Sequence, residues 1–528
     1  MGATNAAPGT QSKFPIPIGL IVGLIAMVVV MFLPIDGYVL QGEGIQMAGL
    51  TMQGKFMLAI LAFAVIVWLT ESVSYEVSSI MIIALIALLV GFAPVPAPTE
   101  ANPAATTMMG TGKAIGLALT GFSSSAWALV AGATFLAAAM TFTGLDRRIA
   151  LIILNTIGTS TKRILVGVIV VTIVLSLFVP SATARVACII PIMSGIVAAY
   201  GVDKRSRIAV GIMIMVAQAT SVWNVGIQTA AAQNLNTVGF MDKLIIQPFQ
   251  AAGIDISAIS WIDWLIAGGP WSVLMSIVLF FVIIKLMPPE ADNIPGGKEA
   301  VAKELKDLGP IPGPQLRLFI ITCVLLAFWA TGGKLHRIDT TTSTTFGLAI
   351  MMLPGIGVIN WKEVQKRAPW GTILVFGVGI SLGGAMLTTG AGRWLGDLVV
   401  FGAGLTTMTP FMIFAILALF LIVIHLGFAS ATALCALFMP IMIAMLHTIG
   451  NTNTALTPQI QLGLSMLLGF VVSYGFILPI NAPQNMVALG TETFNAREFA
   501  KVGIPLTIIG YVLMLILAKT YWPLLGWI

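Results

Sequence analysis

Charge is what this 528-residue chain lacks most: Asp, Glu, Lys and Arg make up 9% of it, against about 25% in ordinary soluble domains. Histidine and cysteine occur only three times each. Cys188, Cys323 and Cys435 all sit inside apolar runs, with no CxxC and no metal-ligand spacing. This excludes a disulfide framework and a thiolate metal centre, and leaves them as small buried hydrophobes. The formal net charge of +6 comes from short basic blocks, with no basic stripe interleaved with aromatics, so nucleic acid is not an expected partner. Acidic residues are absent from 164 to 200, and between Asp397 and Glu492 there is no Asp, Glu, Lys or Arg at all. Those stretches therefore hold no intramembrane carboxylate of the kind that carries protons or cations in pumps.

What fills the space is apolar. Hydrophobic residues reach 58% and the mean hydropathy is +1.01, and runs of about 20 residues, enough to cross a bilayer, recur along the chain. The fold class expected is an all-α polytopic membrane protein of about 11 spans plus two re-entrant hairpins. Residues 1–12 read as a disordered tail, and the run from about 16 to 34 as a retained first span without a cleavage site. Spans follow at about 55–71, 76–93 and 119–144, with an exposed Pro/Ala/Thr-rich loop at 94–112 and an interfacial segment at about 145–160.

The apolar stretch from 164 to 200 breaks at Pro180-Ser181, and the break recurs. Ser181–Met193 reads SATARVACIIPIM and Ser430–Met442 reads SATALCALFMPIM, 8 of 13 positions identical at an offset of 249. Ala231, Gln233 and Asn234 recur 251 residues later as Ala482, Gln484 and Asn485. The chain therefore reads as two copies of one unit. The first is expected over 1–287, with a hairpin at about 164–200 and a broken helix at about 208–240. A solvated linker at 288–316 joins it to the second copy, 317–528, with a hairpin at about 410–448 and a broken helix at about 460–490. With the N-terminus inside, segments expected in the cytoplasm hold 18 Lys and Arg and external ones 7, which obeys the positive-inside rule. The repeats then have inverted topology, the first hairpin entering from the cytoplasm and the second from outside. The C-terminus is expected to be external, in a bacterial inner membrane.

Paired interruptions in corresponding positions of two halves point to a transporter's binding site. Ser181, Thr183, Ser430 and Thr432 stand where second half-helices begin, so free N–H groups and the positive dipole end face each tip. Two such ends suit a small molecule with two anionic groups. Arg185, in the first turn after the tip, opposes its own helix dipole, and no acidic residue lies near it in sequence, so the substrate is the expected counter-charge. His425, five residues before Ser430, is a candidate for coupling or substrate contact, with Thr229 and Asn481 as further coupling candidates. An intramembrane hydrolase is disfavoured, because the i,i+5 spacing of His425 and Ser430 does not align them on a helix face and no HExxH exists.

At these residues the sequence resembles the divalent anion/sodium symporter family, which includes di- and tricarboxylate transporters and carboxylate exchangers. The resemblance rests on Trp68-Leu69-Thr70-Glu71, on the two Ser-x-Thr tips followed by Pro191-Ile192 and Pro440-Ile441, and on Leu478–Asn485. It implies tips that hold substrate carboxylates and sodium, broken-helix contributions from Asn234, Pro483 and Asn485, and a homodimer working by an elevator motion. Cofactors are otherwise none. Ala182 and Ala431 stand where the family has tip asparagines. Ser-x-Thr-Ala-Arg is similar to the sodium-independent exchanger branch, in which a fixed cation stands in for sodium. Leu434, at the matching place in the second tip, leaves room for a sodium ion near Ser430 and Thr432.

Overall fold

The computed structural model describes residues 17–35, 41–42, 45–46, 50–96, 106–157, 160–199, 201–290, 297–332, 334–402 and 404–528. The tail at 1–12 and the middle of the Pro/Ala/Thr-rich loop lie outside them. Hydrocarbon offers the backbone no hydrogen-bond partner, so spanning segments satisfy themselves as helices. Two short ribbons, β1 (Gln41–Gly42) with β2 (Ile45–Gln46) and β3 (Pro94–Pro96) with β4 (Thr106–Met108), are the strands among the described residues.

The first half runs α1 (Ile18–Phe32), α2 (Met52–Thr70), α3 (Tyr75–Leu85, continued by a π turn), α4 (Thr111–Leu119) and α5 (Ser125–Thr143). Next come α6 (Leu145–Ile157), the hairpin arms α7 (Thr161–Phe178) and α8 (Ala182–Ala199), and the broken pair α9 (Arg207–Gly226) and α10 (Ala232–Met241). Short α11 (Gln247–Ala251) leads into α12 (Trp261–Leu286). After α13 (Gly297–Asp307) the second half follows: α14 (Gly313–Thr331), α15 (Thr340–Met352), α16 (Trp361–Arg367), α17 (Trp370–Thr388) and α18 (Ala391–Gly402). Its hairpin arms are α19 (Pro410–His425) and α20 (Ala431–Gly450), its broken pair α21 (Pro458–Val471) and α22 (Pro483–Leu489), and its last helix α23 (Ala496–Thr520). Among the described residues nine of these helices are long and apolar enough to cross a membrane. The arms α7 and α20 and the half-helix α9 are among the nine, whereas α8, α19, α10, α21 and α22 fall short of that length.

Hydroxyls and amides start the helices at expected places. Ser206 accepts from the Ala209 N–H at α9, Thr409 from Met412 at α19 and Thr457 from Ile460 at α21. Full capping boxes open α12 (Ser260 with Asp263) and α23 (Asn495 with Glu498). Each satisfies orphan N–H groups that the first turn cannot.

The two halves interlock. Arm α8 packs on α9 of its own half and α22 of the other, while arm α20 packs on α21 and on α10. Gln233 Nε2 donates to Ser473 Oγ at 3.2 Å, and Gln484 Nε2 donates to Ser221 Oγ at 3.2 Å. Glycine lets the flanking helices approach the exposed backbone of both breaks. A Cβ on Gly268 would fall 2.6 Å from the Val225 carbonyl oxygen, and one on Gly503 only 1.8 Å from that of Phe476. This is an all-helical, inverted-repeat membrane fold.

The stretch expected to be a solvated linker is structured in its second half. Val301 of α13 is buried, and α13 lies across α6 and α8. Arg147 pairs with Glu304 at 3.0 Å. Arg148, itself buried, donates to Gln315 Oε1 at 2.6 Å, the Gly309 carbonyl at 2.9 Å and the Leu308 carbonyl at 3.0 Å. A buried guanidinium of this kind fixes the α6 end of the first half to the segment entering the second.

Candidate functional site

A cavity of about 650 Å³ opens beside the tip of the first hairpin. Ser181, Thr183, Asp146, Arg147, Arg367 and, from α8, Cys188 all line it. Hydroxyls at the start of α8 together with free backbone donors suit an oxyanion, and the two lining arginines are exposed and paired, Arg147 with Glu304 and Arg367 with Glu363. A second groove of about 470 Å³, between α14 and α15, is walled by Ile320, Val324, Phe328 and Phe346. Nothing in it suits an anion.

The Ser181 hydroxyl accepts the Ala184 N–H at 3.3 Å, leaving its own proton to donate. Ala182 and Thr183 are partly buried. At the second tip, Ser430 is 3% exposed and accepts the Ala433 N–H at 3.4 Å, Ala431 is buried and Thr432 is partly buried. The two tips are therefore alike in backbone and unlike in access: the described cavity reaches the first.

Arg185 is fully buried, at 0% exposure. Its guanidinium does not line the cavity. It turns across to the interruption between α9 and α10, where Nη2 donates to Asn224 Oδ1 at 2.5 Å and to the Ala230 carbonyl oxygen at 3.0 Å. That places the charge at the C-terminal, negative end of α9, which offsets the unfavourable dipole of the charge's own helix. Nε and Nη1 have no hydrogen-bond partner among the described residues. The partners found are neutral oxygens, so the net positive charge persists at the break.

The asparagines of the two breaks are backbone braces. Asn234 Nδ2 donates to the carbonyl oxygens of Asn224 at 2.5 Å and Ile227 at 3.0 Å, and Asn485 Nδ2 to that of Gly475 at 2.8 Å. Both amide oxygens are buried without a partner among the described residues. Pro483 begins α22 and is exposed. The Thr229 hydroxyl accepts from Trp261 Nε1 at 3.1 Å, so it faces α12. His425 is not engaged with Ser430. Its Nε2 lies 3.2 Å from the backbone oxygen of Asn481, and the Asn481 amide reaches back to carbonyls of the second hairpin. Sequence reasoning did not single out Asn224, Ser221 or Ser473. The signal available was a buried polar residue within an apolar run, which does not name its partner.

A family model described as the sodium:sulfate symporter transmembrane region matches residues 18–528. The chain belongs to that family. Members of the symporter family are transporters and not enzymes, so this chain is an integral membrane transporter. A relative from Cupriavidus necator, named only as a membrane protein, is 59% identical over 97% of this chain and 93% of its own. The sodium-dependent dicarboxylate transporter SdcS of Staphylococcus saprophyticus is 26% identical over 94% of this chain and 90% of its own. The L-tartrate/succinate antiporter of Escherichia coli is 27% identical over 78% of this chain and 82% of its own. The solved YdaH transporter of Alcanivorax borkumensis, described as having an unusual topology, superposes with a TM-score of 0.53 at 13% identity, covering 86% of this chain and 100% of its own. At that identity the likeness concerns the fold alone. The symporter family thus contains relatives named for both coupling modes, and the residues at the breaks bear on which one operates here.

Proposed function

We propose that this symporter-family member exchanges small organic anions, di- or tricarboxylates such as succinate, malate, 2-oxoglutarate, citrate or tartrate, across a bacterial inner membrane. The observation that carries the reading is the Arg185 guanidinium seated on the Ala230 carbonyl and Asn224. Unwound carbonyls at a helix C-terminal end are where such transporters hold a coupling cation, and here a covalently fixed cation takes the place. Sodium leaves with the substrate and lets a symporter return empty. A guanidinium cannot leave, so an empty return strands a charge in a low-dielectric path, and a second anion must accompany it. Ser181 and Thr183 are the proposed anion donors on the first side, with Ser430 and Thr432 completing the site when the tips converge and Asn234 and Asn485 bracing the breaks behind them.

The positive-inside count puts Arg147 and Arg367 in the cytoplasm. The cavity at the first tip is then the inward-open route, in a homodimer working by an elevator motion with its N-terminus cytoplasmic and its C-terminus external. The test is transport by reconstituted vesicles. Vesicles loaded with a dicarboxylate should take up labelled dicarboxylate or citrate without sodium, and vesicles loaded with buffer should take up little. Strong sodium-driven accumulation into buffer-loaded vesicles would replace exchange with symport.

A further inference from the structure

We propose that Asn481 is a built-in plug of the second break, closing a cluster of carbonyls that would otherwise take an alkali cation, so that neither half of this transporter binds sodium. Its amide nitrogen lies 2.8 Å from the carbonyl oxygen of His425, 2.9 Å from that of Phe428 and 3.4 Å from that of Leu426. Three backbone oxygens converging on one point form the environment of a hard monovalent cation. An amide group brings two donors to it, matching the two short contacts and one long one. The orientation is fixed independently, because Asn481 Oδ1 accepts the Leu478 N–H at 3.1 Å. A flipped amide would put oxygen against three oxygens and nitrogen against a donor.

The surroundings add to this. Asn481 is 2% exposed, and its own carbonyl receives His425 Nε2 at 3.2 Å; with a carbonyl as acceptor, that nitrogen carries the proton. The chain has no Asp or Glu between Asp397 and Glu492 to supply the charge a cation site prefers. The internal repeat makes the arrangement a matched pair. At the recurring offset of 251, Asn481 corresponds to Ala230, the residue whose carbonyl receives Arg185. In the first half the hairpin sends a donor into the break, and in the second half the break sends a donor into the hairpin. Both gaps where a cation would sit between hairpin and broken helix are filled by side-chain nitrogen.

The plug rests on the transporter reading only for its consequence, exchange without sodium, and its test needs no transport. The unfolding temperature of the purified wild type is measured in sodium chloride and in choline chloride at equal concentration, without organic anion. Asn481→Ala and Asn481→Asp are treated alike. Wild type should unfold at the same temperature in both salts. Each variant should unfold earlier in choline and recover saturably with sodium, because a bound ion stabilises the native state, the Asp variant at lower sodium. Saturable sodium stabilisation of wild type overturns the plug, and folded variants indifferent to sodium overturn the cation-like cluster. If neither variant folds, the wild-type titration decides alone. Sodium-insensitive stability in a protein that fails to exchange would keep the plug and remove the exchange reading.

Discussion

At the scale of single residues, the two hairpin tips look equivalent in sequence and are not equivalent in place. Ser181 and Thr183 line the open cavity, whereas Ser430 is buried and caps α20 through the Ala433 N–H. Thr183→Ala should therefore weaken anion binding with little loss of stability. A hydrogen bond to a charged group is worth about 1.5–3 kcal/mol, so the apparent Kd in a thermal-shift titration should rise about 10- to 100-fold. Ser430→Ala removes a helix cap, and its main effect should be a stability loss of about 1 kcal/mol in the absence of ligand. Arg185→Lys separates charge from geometry. Lysine keeps the cation but not the length and planar geometry that carry Nη2 to both Asn224 and the Ala230 carbonyl. Exchange should fall in Arg185→Lys and be lost in Arg185→Ala; wild-type exchange by both would leave the guanidinium a packing role. The sequence disclosed that Arg185 needs compensation and pointed to the substrate, whereas the partners found are the neutral oxygens of Asn224 and Ala230. The answer lies 39 and 45 residues away, a distance over which apolar periodicity carries no information.

The helices themselves were legible because hydrocarbon allows so little else. The helix interruptions between α7 and α8, α9 and α10, α19 and α20, and α21 and α22 fall where hydroxyls, prolines and amides break apolar runs. The less legible parts are held by contacts between segments remote in sequence: α13 docked through Arg147 and Arg148, and the paired Gln233–Ser473 and Gln484–Ser221 struts. Element ends make their own prediction. Glu290 accepts the first N–H groups of α9, from Arg207 at 2.7 Å and Ile208 at 3.1 Å. Burial pushes its carboxyl up, but those backbone hydrogen bonds and the nearby Arg207 charge outweigh it, and the group sits below the usual glutamate range. With the folded value below the unfolded one, its stabilisation is present above the unfolded range of about 4.3 and is lost as pH falls through the folded value. Glu290→Gln should thus be less stable than wild type at pH 7, and the two should converge as pH falls through the lowered folded value of Glu290 in denaturation followed by intrinsic fluorescence. A constant difference across that range would mean that the cap does not depend on charge. At the other close approach, Gly503→Ala should be strongly destabilising, since its Cβ would meet the rigid Phe476 carbonyl at 1.8 Å and the backbone there has no flexible end to move.

For the whole molecule, inverted topology and an inward-open cavity make one joint prediction. Lys204 and Lys334, both exposed, are placed by the positive-inside count in the cytoplasm and outside respectively. Arg148 is a poorer reporter because it is buried and holds three carbonyls and Gln315. Cysteines at Lys204 and Lys334, introduced singly in a background lacking the native thiols, should react with a membrane-impermeant maleimide in inverted and right-side-out vesicles respectively. The native Cys188 then reports the state. It lines the same cavity as Arg147 and Arg367, which the proposed orientation sets on the cytoplasmic side, so with Cys323 and Cys435 replaced it should be modified in inverted vesicles and spared in sealed right-side-out ones. Exchange substrate supplied on both sides should slow the reaction, as the moving hairpins spend part of each cycle with this cavity closed and filled. Modification of Lys204 and Lys334 positions from the same face would remove the inverted arrangement. Modification of Cys188 from outside alone would keep that arrangement and reverse the side on which the cavity opens.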